Sequence, residues 1–191
     1  MTTDLKRNGF KDIARSFKGD WLINLLDNKL VFTGEVGTTI NDAKTGFGGR
    51  YRVSYRNPVL WEFVTWGGFL DDKWNVSAMG FQQKNNNWYS GARLSLRRDQ
   101  PKGVFINQNL NFRLWISGLH NGLLTRNNFE IESENRFTNY WRFGFQVELN
   151  PQTYVDDDIY RDSRAVIIKD EAWQEYNIWF STDTRKNFVI R

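Results

Sequence analysis

Every second position from Val104 to Ile116 is apolar or nearly so, and polar side chains lie between them. A period of two is the pattern of a β-strand whose two faces meet different surroundings. An average globular strand has about five or six residues, whereas a tilted strand that crosses a bilayer needs roughly nine to eleven. The length of this run therefore favours a strand of membrane-spanning size.

The same alternation recurs along most of the chain and divides a predicted sheet into a polar and an apolar face. We expect the polar set to face the interior of a barrel: Arg93, Arg97, Asn107, Asn109, Asn111, Arg113, Glu130, Glu132, Glu134, Arg142, Gln146 and Glu148. We expect the apolar set to face lipid: Ile106, Leu110, Phe112, Leu114, Phe129, Ile131, Trp141, Phe143, Phe145, Val147, Tyr176, Ile178 and Phe180.

The alternating runs also predict how the strands are connected. The predicted strands are 18–26, 29–39, 46–56, 59–69, 87–97, 104–117, 124–137, 140–150 and 172–182, with another beginning near residue 187. Short turns are expected at 27–28, 57–58, 98–103, 138–139 and 183–186, and longer loops at 40–45, 70–86, 118–123 and 151–171. Transmembrane barrels have short periplasmic turns and longer extracellular loops. The sequence therefore predicts an all-β, antiparallel up-and-down transmembrane β-barrel, a meander.

This topology places residues 1–19 outside the cell, as an extracellular loop or N-terminal segment, and residues 20–191 in the barrel strands and loops. Bacterial barrels normally start from the periplasm and have an even number of strands. Residues 187–191 resemble a strand cut short, and 1–18 lacks the apolar core of a signal peptide. We therefore expect an incomplete or internal portion, of about nine or ten strands, of a longer or assembled barrel.

Composition supports a membrane setting without excluding a soluble one. Aromatic residues make up 16% of the 191 residues and include nine Trp, and such residues form the interfacial girdles of outer-membrane barrels. Mean hydropathy is −0.63, and no run approaches the roughly eighteen apolar residues of a transmembrane helix. The alternative is a soluble sheet with a Trp-rich core or a sugar-stacking face.

Few residue patterns point to catalysis, metals or cofactors, and we expect none of these. The chain has no Cys, and His120 is its only histidine, so thiolate sites and multi-His metal sites cannot form. His120 falls in a predicted loop with Gly118, Asn121 and Gly122, a setting that does not favour a Ser-His-Asp site. The +4 net charge is dispersed, which argues against nucleic acid. Asp156, Asp157 and Asp158 with Asp162 could offer oxygen ligands to calcium, although a solvated loop is favoured. Glycines at 46, 48 and 49 are expected to permit strand curvature or close packing rather than to hold phosphate.

The polar face itself allows two interpretations. Charges of both signs would share this face, and a hairpin turn at 137–139 would put Glu134 opposite Arg142. The favoured interpretation is a lumen closed by salt bridges and amides. The other is a polar conduit or ligand site.

Several short motifs resemble, in their order, a large family of outer-membrane barrels. They are Trp74 to Asn87 with Gly80-Phe81 and Asn85-Asn86-Asn87, Pro101-Lys102-Gly103 before Leu114-Trp115, Asn139-Tyr140-Trp141, Tyr154 to Arg164, and Ser181 to Lys186. Ser77-Ala78 stand where that family usually has an Asn-Asp pair, and Lys84 replaces its arginine. Its members carry a domain resembling family 9 carbohydrate-binding modules, followed by a barrel of unknown function.

This resemblance implies the outer membrane of a Gram-negative bacterium as the location. It also implies a role as envelope scaffold or transport component, linked to polysaccharide uptake, with the lipid bilayer and other envelope proteins or the remainder of the barrel as partners. A glycan is a further candidate ligand, and glycoside hydrolysis follows from the family alone. The carbohydrate-binding domain itself is not in this chain, so the resemblance assigns sugar binding to none of its residues.

Overall fold

A computed structural model describes residues 2–6, 13–41, 44–57, 59–75, 85–157 and 166–190. Within these ranges the chain is all-β, with twelve strands and no helix. The strands are β1 Thr2–Lys6, β2 Ile13–Leu25, β3 Leu30–Asn41, β4 Lys44–Arg56, β5 Trp61–Leu70, β6 Asn87–Arg98, β7 Phe105–Leu119, β8 Leu124–Phe137, β9 Arg142–Asn150, β10 Thr153–Asp157, β11 Val166–Asp170 and β12 Trp173–Ser181. No helix among the described residues is both long and apolar enough to cross a membrane.

Ten of the strands form one antiparallel sheet in the order β1-β2-β3-β4-β5-β6-β7-β8-β9-β12. Each strand pairs with its predecessor in the chain, except that the β10–β11 hairpin is inserted between β9 and β12. The predicted antiparallel up-and-down arrangement is therefore confirmed. In the described part of the chain, β1 and β12 are the two edges of the sheet, which is open.

The register sorts the side chains onto two faces, because directly opposite residues in an antiparallel pair share a face. Arg97 lies opposite Asn109, which lies opposite Glu134, and these belong to the predicted polar set. Leu94, Phe112 and Ile131 form the corresponding row on the other face. We name these the polar face and the apolar face.

A register shift interrupts β7 at Ile106. Phe105 lies opposite Phe137 and Asn107 lies opposite Arg136, so Ile106 has no partner on β8. The Phe105 and Phe137 rings contact each other, with centroids 5.0 Å apart. The long alternation in the sequence is thus broken by a bulge near its start, and the apolar-set assignment of Ile106 rests on the sequence alone.

The connections at the two ends of the sheet differ less in length than the sequence predicts. The expected loop 40–45 is reduced to residues 42–43, because Asn41 pairs with Lys44. The β7–β8 connection is residues 120–123. The two longest connections, 71–86 and 151–172, do lie at the same end of the sheet. The second of them contains the β10–β11 hairpin, where a loop was expected.

Both ends of the chain also differ from expectation. The predicted N-terminal segment 1–19 includes β1 and the start of β2, which pair with each other. The strand expected near residue 187 is absent from the described residues. Instead the chain turns back, and the Ile190 amide donates to Thr182 Oγ1 at 3.0 Å.

The sheet has almost no apolar core of its own. Val64 and Leu119 are the buried hydrophobic side chains among the described residues. Large apolar side chains on the apolar face are exposed instead, including Phe47, Leu114 and Ile178. The hydrophobic surface of this sheet therefore faces outward, away from any other part of the described chain.

Candidate functional site

The polar face of β5 to β9 is the candidate site, because charged and amide side chains line up there across neighbouring strands. One row runs from Arg93 through Arg113 and Glu130 to Glu148. The next row lies two positions further along each strand and consists of Ser95, Asn111, Glu132 and Gln146. The period of two in each strand produces these rows once the register is set.

Each of the two arginines in these rows has a carboxylate within ion-pair distance. Arg113 Nη1 lies 2.8 Å from Glu130 Oε2, and the Glu130 side chain is only 10% exposed. Glu62 accepts from Arg56 Nη2 at 2.9 Å and lies 3.6 Å from Arg93 Nη2. The two arginines that face each other, Arg93 and Arg113, are therefore each flanked by a carboxylate from the outer neighbouring strand.

An amide network continues the polar face on β8 and β9. The Asn128 amide donates to Glu148 Oε1 at 2.6 Å and to Asn150 Oδ1 at 3.1 Å. Asn150 donates to the same Glu148 oxygen at 3.1 Å. Asn128 is 3% exposed, so burial makes these bonds costly to lose.

A pocket of about 470 Å³ opens on the polar face between β5 and β8. Arg93, Arg97, Asn109 and Glu134 line it together with Glu62. It therefore offers hydrogen-bond donors and acceptors and charges of both signs.

Tryptophan rings occupy the space above two glycines of the polar face. A Cβ on Gly91 would overlap the Trp66 indole, and a Cβ on Gly144 would overlap the Trp179 indole. Trp66 also meets Trp115 edge to face, with centroids 6.0 Å apart and planes at 85°. These glycines give the indoles room to lie across the neighbouring strand.

The start of the β5–β6 connection folds onto the polar face of β3 and β4. Trp74 lies against Gly37, Gly46 and Gly48, where a Cβ would meet its ring or backbone. The Asn75 amide donates to Thr39 Oγ1 at 3.2 Å, and Thr39 is almost fully buried. The prediction that the glycines near residue 46 permit close packing is confirmed at Gly46 and Gly48.

The expected pairing of Glu134 with Arg142 is wrong. Arg142 lies opposite Arg136, and Glu134 lies opposite Gly144. The hairpin turn is longer than predicted, because the Phe137 amide bonds to the Trp141 carbonyl and Tyr140 adopts φ +65°. Arg136 thus lies opposite another positive charge, and its guanidinium is 4.9 Å from the centroid of the Tyr140 ring.

Tyr140 also joins this turn to the residues after β12. The Arg185 guanidinium lies 3.3 Å from the Tyr140 ring centroid and donates twice to the Asp183 carboxylate at 2.8 Å. The hydrogen bond from the Arg185 side chain is the largest cause that lowers the pKa of Asp183, to about 2. The same pair raises the pKa of Arg185. The two turns thus share one cation between a carboxylate and an aromatic ring.

The structure brings the predicted polar set together on one face of the sheet. That this face lines a barrel interior, and that the apolar set faces lipid, remain predictions. Sequence reasoning left Glu62, Trp66, Trp115 and Trp179 out of the candidate site. The signal available for Trp179 was its alternation with Tyr176, Ile178 and Phe180, which places it on the other face from the apolar set.

The remaining candidates do not assemble into a site. His120 is exposed, and its Nε2 lies 3.0 Å from the Leu70 carbonyl oxygen. Across the described ranges there is no group of three or more His, Cys, Asp or Glu that could hold a metal. The side chains of Asp156, Asp157, Asp158 and Asp162 lie outside the described residues.

Comparison with known proteins identifies one family. The model of a family described as "Domain of unknown function (DUF5916)" matches residues 3–191. Searches of curated proteins and of solved structures returned no match.

Proposed function

The chain belongs to this family of unknown function, and we propose that it forms part of an outer-membrane β-barrel that acts as an envelope scaffold or transport component. The observation that carries the proposal is the exposed apolar face. Tyr176 is 65% exposed and Ile178 77% exposed, and both lie on that face. Soluble monomers rarely expose continuous apolar patches larger than a few hundred Å². Lipid tails are the surroundings that suit such a face.

Strand length supports the same proposal. β6, β7 and β8 have 12, 15 and 14 residues, against the roughly nine to eleven that a tilted transmembrane strand requires. The polar face also fits the proposal, because the interior of an outer-membrane barrel is polar. Ion pairs such as Arg113–Glu130 would fill that interior, which favours a scaffold or a narrow conduit over a wide pore.

The open edges of the sheet call for partner strands. In a bilayer, every backbone N–H and C=O must be paired, and only closed barrels achieve this with strands. The outer edges of β1 and β12 have no paired strand in the described chain. We propose that further barrel strands or other envelope proteins pair with these edges.

Purification of the full chain with and without detergent tests the membrane assignment. We expect a monodisperse species in lauryldimethylamine oxide and aggregation once the detergent is removed, because the apolar face would then meet water. A monomer that stays soluble without detergent would contradict the proposal. That result would support a soluble carbohydrate-binding sheet instead.

Cysteine labelling tests which face meets lipid, and the chain has no Cys to interfere. Phe145 and Gln146 are neighbours at the middle of β9 on opposite faces, so Phe145→Cys and Gln146→Cys report at the same depth. In vesicles containing brominated lipid, a bimane label at residue 145 should be strongly quenched and one at residue 146 should not. Equal quenching, or the reverse order, would exclude the proposed orientation.

A further inference from the structure

The last strand of the sheet, β12, has a neighbour on one side only. It pairs with β9 from Trp173 to Ser181, and no other described strand lies along its outer edge. Seven of the nine residues of β12 are exposed, on both faces, against two of the nine in β9. An edge strand presents unpaired N–H and C=O groups, to which an extended segment can add. A further strand would also supply the shielding that β9 has and β12 lacks.

Three carboxylates lie side by side in the row of the polar face that reaches this edge. Glu130 lies opposite Glu148, and Glu148 lies opposite Glu175. Like charges directly opposite each other destabilise an antiparallel pair. Arg113 on β7 offsets the charge of Glu130, whereas Glu148 and Glu175 have only amide N–H donors among the described residues. The three carboxylates thus share one cation, and it lies on the side away from the edge.

Elsewhere on the polar face, carboxylates have cations on both neighbouring strands. Glu35 on β3 forms ion pairs with Lys18 of β2 and Arg50 of β4. Glu62 on β5 lies in the same way between arginines of β4 and β6. Glu175 has a strand on one side only, and the residue opposite it on that strand is acidic. A cation for Glu175 therefore has to come from a strand on its open side.

We propose that the outer edge of β12 pairs with an antiparallel strand from outside this chain that carries lysine or arginine opposite Glu175. Directly opposite residues share a face, so the basic side chain would meet the carboxylate on the polar face. On the other face, the same strand would place apolar side chains beside Tyr176 and Ile178, which are 65% and 77% exposed. This proposal rests on the proposed pairing of the open edges and adds the chemistry of the strand that takes this one.

The edge strands of the chain itself do not meet the requirement. The register puts Thr3 and Leu5 at the polar-face positions of β1, since they lie opposite Ser16 and Ala14, and neither is basic. A second copy of the chain would offer the same residues from its β1. Its β12 contains no Lys or Arg at any position. Charge complementarity therefore favours a different strand over β1 or β12 of a second copy.

Peptide binding to the full chain, measured by fluorescence anisotropy, tests this proposal. Three fluorescein-labelled peptides, matched to the nine residues of β12, alternate valine with lysine, glutamine or glutamate. Lauryldimethylamine oxide, a detergent without net charge, keeps the protein in solution. We expect the lysine peptide to bind about fivefold or more tightly than the glutamate peptide, because an opposite-charge pair replaces a like-charge pair. The chain has a net charge of +4, so overall attraction would favour the glutamate peptide instead.

Variants of β12 show whether Glu175 is the residue responsible. Glu175→Gln should weaken binding of the lysine peptide about twofold to fivefold, and Glu175→Lys should reverse the order of the lysine and glutamate peptides. Gln174→Lys is the matched control for Glu175→Gln. It changes the net charge by the same amount on the same strand, but residue 174 lies opposite Leu149 on the apolar face. It should leave the affinity unchanged, and circular dichroism establishes that each variant is folded.

Several results would overturn this proposal. Equal affinity for the lysine and glutamate peptides would remove the charge requirement and leave edge pairing in place. No binding of any of the three peptides would remove pairing at this edge as well. An equal loss in Glu175→Gln and Gln174→Lys would reduce the preference to overall charge.

Sedimentation velocity of the full chain in the same detergent tests the competing occupant. We expect a monomer without peptide. A dimer that the lysine peptide does not dissociate would make a second copy the occupant and would contradict the proposal. The detergent and labelling results do not depend on any of these outcomes, so the membrane proposal stands or falls separately.

Discussion

Replacing Leu114 by arginine gives the sharpest test of what surrounds the apolar face. Leu114 lies on β7, a central strand of the sheet, opposite Ala92 and Phe129. It is 47% exposed, so an arginine there has room to leave the protein surface. The free energy of the variant is therefore set by the medium outside the sheet and not by neighbouring side chains.

The expected magnitude follows from the position of Leu114 along β7. The strand has 15 residues, which span about 50 Å, and Phe112 lies at its centre. Leu114 is two residues away, about 6.6 Å along a tilted strand and so roughly 5 Å from the bilayer midplane. Arginine facing lipid near the midplane costs about 2 to 4 kcal/mol. The same substitution on a surface exposed to water changes stability by about 0.5 kcal/mol or less.

Equilibrium urea unfolding in phosphatidylcholine vesicles, followed by tryptophan fluorescence, measures this difference. Asn111→Arg is the control on the polar face, where Ser95 and Glu132 are the residues opposite. The Glu132 carboxylate can offset the new charge, so we expect a change within about 0.5 kcal/mol. The reasoning would be refuted if Leu114→Arg were as stable as the wild type, or if Asn111→Arg lost as much free energy of unfolding.

Two further predictions concern packing and pH. Gly144→Ala should lower the free energy of unfolding by about 1 to 3 kcal/mol, because its Cβ would overlap the Trp179 ring, whereas Gly19→Ala meets no atom within 4 Å and should be close to neutral in the same urea assay. The folded-state pKa of Asp183 is about 2, below the unfolded value of 3.8, because the Arg185 side chain bonds to its carboxylate. Its contribution to stability is therefore present above pH 4 and lost as pH falls through about 2. Asp183→Asn should abolish this part of the acid sensitivity in unfolding experiments at pH 5 and pH 2, and an unchanged pH profile would contradict the assignment.

Strand positions and faces were accessible to sequence reasoning because alternation is a local property. A side chain points to one face or the other according to its own strand, whatever strand lies next to it. The prediction of 124–137 agrees with β8 Leu124–Phe137 at both ends, and 87–97 agrees with β6 Asn87–Arg98 to within one residue.

Register could not be predicted as well, because it depends on turn geometry and a small error moves every pair. In the turn after Phe137, Tyr140 adopts a positive φ that the sequence did not reveal. As a result, the residue opposite Arg142 is Arg136 and not Glu134. The bulge at Ile106 is a comparable local departure that the alternation hid. Both change which charges meet across the sheet.

The amino-acid sequence by itself determined an antiparallel meander with one polar and one apolar face, because a period of two is written residue by residue. Only the tertiary structure decided which side chains meet. It set Arg93 against Arg113, laid Trp179 across Gly144, and folded Trp74 over Gly46 and Gly48. These contacts join residues far apart in the chain through register and close approach, and local periodicity carries no record of either.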